Sequence, residues 1–136
     1  MRAALLSCIV IACTPNTDEE IRGQVTLLLN QEGAPAQAAS DRLVKFGKRA
    51  IPTLESAMHT ANPTGKKNLI LVMRQIGDES AIPLLAHIAV YEPADDVRKE
   101  ALWTLQQWAK GSDSRAEKAR AALRTVDETR QREEAG

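Results

Sequence analysis

Few side chains in this sequence are of types that do chemistry: two cysteines, Cys8 and Cys13, two histidines, His59 and His87, one tyrosine, Tyr91, and two tryptophans, Trp103 and Trp108. A structural zinc ion needs thiolate and imidazole ligands converging on one point. Here both cysteines fall within the first thirteen residues and each histidine stands alone on its own amphipathic segment. Such histidines are ordinarily solvated or half-buried structural residues. The sequence also contains no glycine-rich phosphate loop, no nucleophile elbow and no His-Glu metal helix. The expectation is a chain with no catalytic residues, no metal and no cofactor, and thus not an enzyme.

The totals narrow the class further. At 136 residues the chain suits one domain, and 43% hydrophobic with only 3% aromatic residues means an aliphatic core. Eighteen basic residues balance eighteen acidic ones, so there is no basic field to track phosphates, and a nucleic-acid partner is excluded. No period-two run of β-branched residues occurs, while glycines and prolines fall mostly between segments of helical periodicity. The fold class read from this pattern is all-α.

Cys13 is the one residue whose surroundings suggest a modification. Arg2 precedes an apolar run over residues 3–12, which is shorter than the roughly twenty residues that span a bilayer and suits a signal peptide. Val10-Ile11-Ala12-Cys13 resembles the bacterial lipobox, in which a branched residue, a tolerant position and a small residue precede a cysteine that receives diacylglycerol. Leu5-Leu6-Ser7-Cys8 fits loosely but leaves too short an apolar core. The alternative is an ordinary N-terminal helix with two buried cysteines. The expected organisation is a lipoprotein signal peptide at 1–12, a polar tether at 13–17, a helical domain at 18–126 and a flexible polar tail at 127–136. Cleavage would leave a single acylated cysteine and no disulfide. Thr14 is not the aspartate of an inner-membrane retention signal, which favours an outer membrane where the host has one.

The helical domain is built on a repeat. Gly47-Lys48-Arg49-Ala50-Ile51-Pro52 is restated as Gly77-Asp78-Glu79-Ser80-Ala81-Ile82-Pro83, with an offset of 30 at the glycine and 31 at the proline. A period near thirty, with a glycine stop and a proline start in each unit, marks stacked helical repeats. A first helix is expected from Thr17, capped through the Thr17-to-Glu20 capping-box spacing, to about Asn30, with Ile21, Val25, Leu28 and Leu29 inward. A second helix opens at Pro35, and the third carries Ile51, Leu54, Ala57 and Met58. The fourth, Thr64 to Ile76 after an Asn62 cap, reads as apolar nearly all round and is placed at the centre. Asp78 or Ser80 caps the fifth, with Ile82, Leu85, Ile88 and Ala89 inward. The sixth carries Val97, Ala101, Leu105 and Trp108, and the seventh, capped by Ser112, runs to about Val126. Phe46, Ile76 and Trp108 align as equivalents, as do Leu43, Met73 and Leu105. The expected architecture is a short α-solenoid of about three antiparallel helix pairs plus an N-terminal helix.

AIPTL, GDESAIPLL and DDVRKEALWTLQQWA together resemble the short HEAT-like repeat found around phycobilisome lyases and in bacterial scaffold proteins. The resemblance covers roughly residues 35–123. The first copy departs from it with Lys48-Arg49 in place of Gly-Asp, and the last lacks Ala-Ile-Pro. It implies protein–protein interaction far more often than chemistry, although a chromophore lyase is the enzymatic alternative it carries.

In such a solenoid the second helix of each pair displays its outer side in a row. Glu55 and His59 of the third helix and Leu84, His87 and Tyr91 of the fifth make the expected partner-binding row. Trp103 lies off the inward stripe of the sixth helix, so it is either an exposed anchor or packed beneath the seventh helix, the ordinary arrangement for an indole. The function expected is a membrane-anchored adaptor or scaffold of the bacterial cell envelope, facing the periplasm or exterior and binding another envelope protein. The alternative is a structural spacer or assembly factor.

Overall fold

The computed structural model describes residues 16–136. Seven α-helices follow one another among these residues: α1 (Thr17–Asn30), α2 (Ala34–Phe46), α3 (Ile51–Met58), α4 (Pro63–Ile76), α5 (Ile82–Tyr91), α6 (Asp95–Ala109) and α7 (Ser114–Ala135). Two short 3-10 turns, Gly47–Ala50 and Glu79–Ala81, lead into α3 and α5. No strand occurs among the described residues. Cys13 and the proposed signal segment lie outside them.

The helices form two layers. α2, α4 and α6 pack side by side in one, and α5 and α7 adjoin in the other, as do α1 and α3. α1 also lies along α2, in the place that the second helix of a preceding repeat would take. The sequence stripes face the space between the layers. Ile21, Leu43, Leu54, Leu69, Ile70, Met73, Leu85 and Leu105 are fully buried there, and burying each such side chain contributes about 1.5–3 kcal/mol.

The glycine–proline punctuation works by two mechanisms. Gly47 and Gly77 have φ of +62° and +69°, where a Cβ would be strained, and each ends the preceding helix. Pro52 and Pro83 then sit in the first turn of α3 and α5, where a missing N–H costs nothing. The two turns differ in detail. Asp78 accepts a hydrogen bond from the Ser80 N–H (2.8 Å) and caps the second 3-10 turn. No side chain caps the first, where Lys48 carries no acceptor.

Three helix boundaries, and the exposure of one helix, differ from those expected. Asn16, not Thr17, caps α1: its amide oxygen accepts from the Asp18 N–H, and Thr17 is already helical. Asp113, not Ser112, caps α7, its carboxylate accepting from the Ala116 N–H at 2.9 Å. α7 does not stop at Val126 but continues to Ala135, so the segment read as a tail is the solvent-facing end of a helix. That segment is rich in Glu, Arg and Gln, which are good helix formers, and it propagates a helix that the core has already nucleated. α4 is central but not buried all round, since its apolar Leu71 is 42% exposed.

Candidate interaction surfaces

α5 buries Ile82, Leu85, Ile88 and Ala89, and this fixes the direction in which its remaining residues point. His87 and Tyr91, one turn apart, are both exposed, and their ring centroids lie 4.8 Å apart with the planes tilted by 44°. Tyr91 is 54% exposed, so its ring stands open to solvent beside the imidazole. Beside the pair, Ala86 and Val90 face Val126 of α7, and Thr125 and Thr129 form the far wall of a groove of about 200 Å³. The threonine hydroxyls are turned inward along their own helix. Thr125 donates to the Ala121 carbonyl (3.3 Å) and Thr129 to the Thr125 carbonyl (2.8 Å).

The expected row is thus only partly assembled. His87 and Tyr91 come together, but their neighbours are α7 residues rather than α3 residues. Glu55 and His59 are exposed on α3, which packs against α4 and α1, and neither lines the groove. Leu84 is not displayed: it is half-buried and packs onto the core, because α5 is apolar over most of its circumference. The threonine wall lies outside the expected row: it belongs to α7, and Thr129 falls beyond Val126, where the apolar stripe of that helix ends. The four-residue step from Thr125 to Thr129 was the signal that could have revealed it.

A second surface lies on the other layer. Trp103 is 47% exposed and is not packed beneath α7. The Arg74 guanidinium of α4 lies 4.3 Å from the indole centroid. Arg74 is itself held by three α6 acceptors. Its Nε donates to Thr104 Oγ1 (3.0 Å), and its Nη2 donates to Glu100 Oε2 (2.6 Å) and, at 3.5 Å, to the Glu100 carbonyl. Fully buried Thr104 passes its own proton to the Glu100 carbonyl (2.8 Å), so both of its roles are satisfied. Lys67–Asp96 (2.9 Å) continues the same α4–α6 seam, and Lys66–Glu92 (2.8 Å) ties α4 to the residue that ends α5. The hydrogen bond and charge of Lys67 hold the Asp96 carboxyl below its ordinary range, and Asp96 in turn raises Lys67. With its charges paired internally, the seam leaves Trp103 and Leu71 as its apolar exposures.

A third cluster gathers at the turns. Glu79 accepts from Ser114 (3.0 Å) and pairs with Lys118, and the two together lower its carboxyl. Asp78 is lowered mainly by its hydrogen bonds from Ser80. Arg115 donates to the Gly77 carbonyl at 3.0 Å and lies 5.1 Å from the Trp108 ring centroid. These contacts bind α7 to the preceding repeat where the third copy lacks Ala-Ile-Pro. Among the described residues, no group of three or more His, Cys, Asp or Glu side chains is arranged to hold a metal ion. No helix of the described residues is long and apolar enough to cross a membrane.

The geometry agrees with the comparisons to known proteins. No curated protein sequence matches the chain. Among solved structures, the complex of CpcE and CpcF of phycocyanin lyase from Nostoc sp. PCC7120 contains a similar chain, with a TM-score of 0.62 and 24% identity. The match covers 82% of this chain and 65% of that one. At this identity the likeness is one of fold, and the present chain spans about two-thirds of the length of the chain it matches. The sequence pattern of HEAT repeats matches residues 10–106, reaching from before α1 into α6. The chain therefore belongs to the HEAT-repeat family.

Proposed function

We propose that this HEAT-repeat chain is a non-enzymatic adaptor, tethered to a bacterial envelope membrane through acylated Cys13, that binds another envelope protein through the outer face of α5. The observation that carries the reading is the His87–Tyr91 pair, two rings in tilted contact displayed at the edge of a groove. Rings of this kind bury large apolar area while keeping a polar tip available for hydrogen bonding. The HEAT architecture supports the reading, because stacked helix pairs present extended surfaces to partners. The interface available on so short a stack is modest, and tethering compensates by raising the effective concentration of adaptor and partner in one membrane.

The test is affinity capture from membranes with wild type and with a folded His87→Ala, Tyr91→Ala double variant. The wild type is expected to recover a defined partner and the variant to lose it. Equal recovery by both would move the binding site off α5. Intact mass of the membrane-extracted protein tests the anchor, with a diacylated chain starting at Cys13 expected and a chain still starting at Met1 contradicting it. A lyase-type subunit is the second reading, supported by the fold likeness to a chain of the CpcE–CpcF complex. It requires that a covalent bond in the captured partner change on incubation with this chain, and mass spectrometry of that partner separates the two readings.

A further inference from the structure

We infer that the α5–α7 groove is an anchor socket for one large, uncharged, apolar side chain of the leucine or phenylalanine class, projecting from the partner protein. The inference rests on the adaptor reading and assigns the chemistry of its contact. Size is the first argument. The groove offers about 200 Å³, below the roughly 300–1,000 Å³ of pockets that enclose drug-sized ligands, and suited to a single side chain. Charge is the second. In a chain that is 26% charged, none of the residues around this groove is Asp, Glu, Lys or Arg. A charged occupant would lose hydration here and gain no counter-ion.

Hydrogen bonding is the third argument. Thr125 and Thr129 spend their hydroxyl protons on the Ala121 and Thr125 carbonyls, so on the α7 side the groove wall presents acceptors only. A carboxylate set against that wall would meet oxygen against oxygen. An apolar side chain instead meets Ala86 and Val90, over a floor closed by Val126, which is 1% exposed. Tyr91 and His87 then close over it from the α5 side.

The probes are N-acetyl-leucinamide, N-acetyl-phenylalaninamide and N-acetyl-lysinamide, titrated into the isotope-labelled full chain and followed by amide and methyl NMR. The leucine and phenylalanine analogues are expected to shift the signals of Ala86, Val90, Val126 and Thr129 with dissociation constants on the order of millimolar, and the lysine analogue to bind at least about tenfold more weakly. Ala86→Leu, which fills the groove, and Thr125→Glu, which places a carboxylate on its exposed wall, are each expected to abolish those shifts. Scattered shifts, equal response to all three analogues, or responses that survive both variants would overturn the inference. The adaptor reading fails separately. If the analogues bind as expected but partner capture survives the His87→Ala, Tyr91→Ala change, the groove keeps its preference for apolar side chains but the α5 partner site fails, and the partner's use of the socket fails with it. If that double variant loses the partner while Ala86→Leu and Thr125→Glu retain it, the α5 face binds without using the socket.

Discussion

Leu85 and His59 define the range of consequence that a single side chain has in this fold. Leu85 is fully buried between the layers, so Leu85→Ala is expected to cost about 2–4 kcal/mol in urea unfolding, whereas exposed His59→Ala should change stability by less than about 0.5 kcal/mol. Equal losses would mean that the inward stripe is misplaced. Two glycines give changes of opposite sign. Gly77 has φ +69°, and a Cβ there would lie 2.7 Å from Arg115 Nη1, so Gly77→Ala is expected to destabilise by about 1–2 kcal/mol or more. Gly23 lies inside α1 with nothing within 4 Å of an added Cβ, so Gly23→Ala should stabilise by about 0.5–1 kcal/mol. Thermal melts that moved both variants in the same direction would contradict the backbone assignment. Residues such as these were legible in the sequence because period and punctuation are local properties. Arg74 was not, because its partners Thr104, Glu100 and Trp103 all come from α6, and no local pattern marks a cation that stacks across a helix pair.

At the scale of elements, α7 shows most clearly what the sequence withheld. Its apolar stripe ends at Val126, yet the helix continues for more than two further turns, built of good helix formers and with Arg132 paired to Glu128 one turn back. The missing Ala-Ile-Pro was legible as a degenerate last repeat, but its replacement was not. Ser114, Arg115 and Lys118 of α7 reach Gly77 and Glu79 in the preceding turn and hold α7 in register. This latch gives a pH dependence whose sign is fixed. Glu79 is held below its ordinary carboxyl value, first by Lys118 and then by Ser114, so its stabilising contribution is present above the ordinary carboxylate range and is lost as pH falls through and below it. Wild type is therefore expected to be more stable than Glu79→Gln at pH 7 and to lose that advantage progressively as pH falls from the ordinary carboxylate range. The difference should also shrink in high salt, because the pair is exposed. A gap between the two proteins that does not change from pH 7 to pH 3 would show that the latch does not act through charge.

For the whole molecule, the two-layer stack, its period and nearly all of its core were readable from spacing, because each repeat carries its own stop and start signals. The proposed interaction surface was readable only in half. His87 and Tyr91 could be placed together from a four-residue spacing, but the wall that faces them comes from a helix about forty residues later, and tertiary neighbours at that distance leave no periodic trace. The account therefore stands on which layer of the stack meets a partner. A photo-crosslinking amino acid placed at position 91 reports on the α5–α7 face, and one placed at position 103 reports on the α4–α6 seam. Irradiation of membranes carrying each variant is expected to give one defined protein adduct from position 91 and none of comparable yield from position 103. A defined adduct from position 103 with none from position 91 would place the partner on the opposite layer and contradict the central claim.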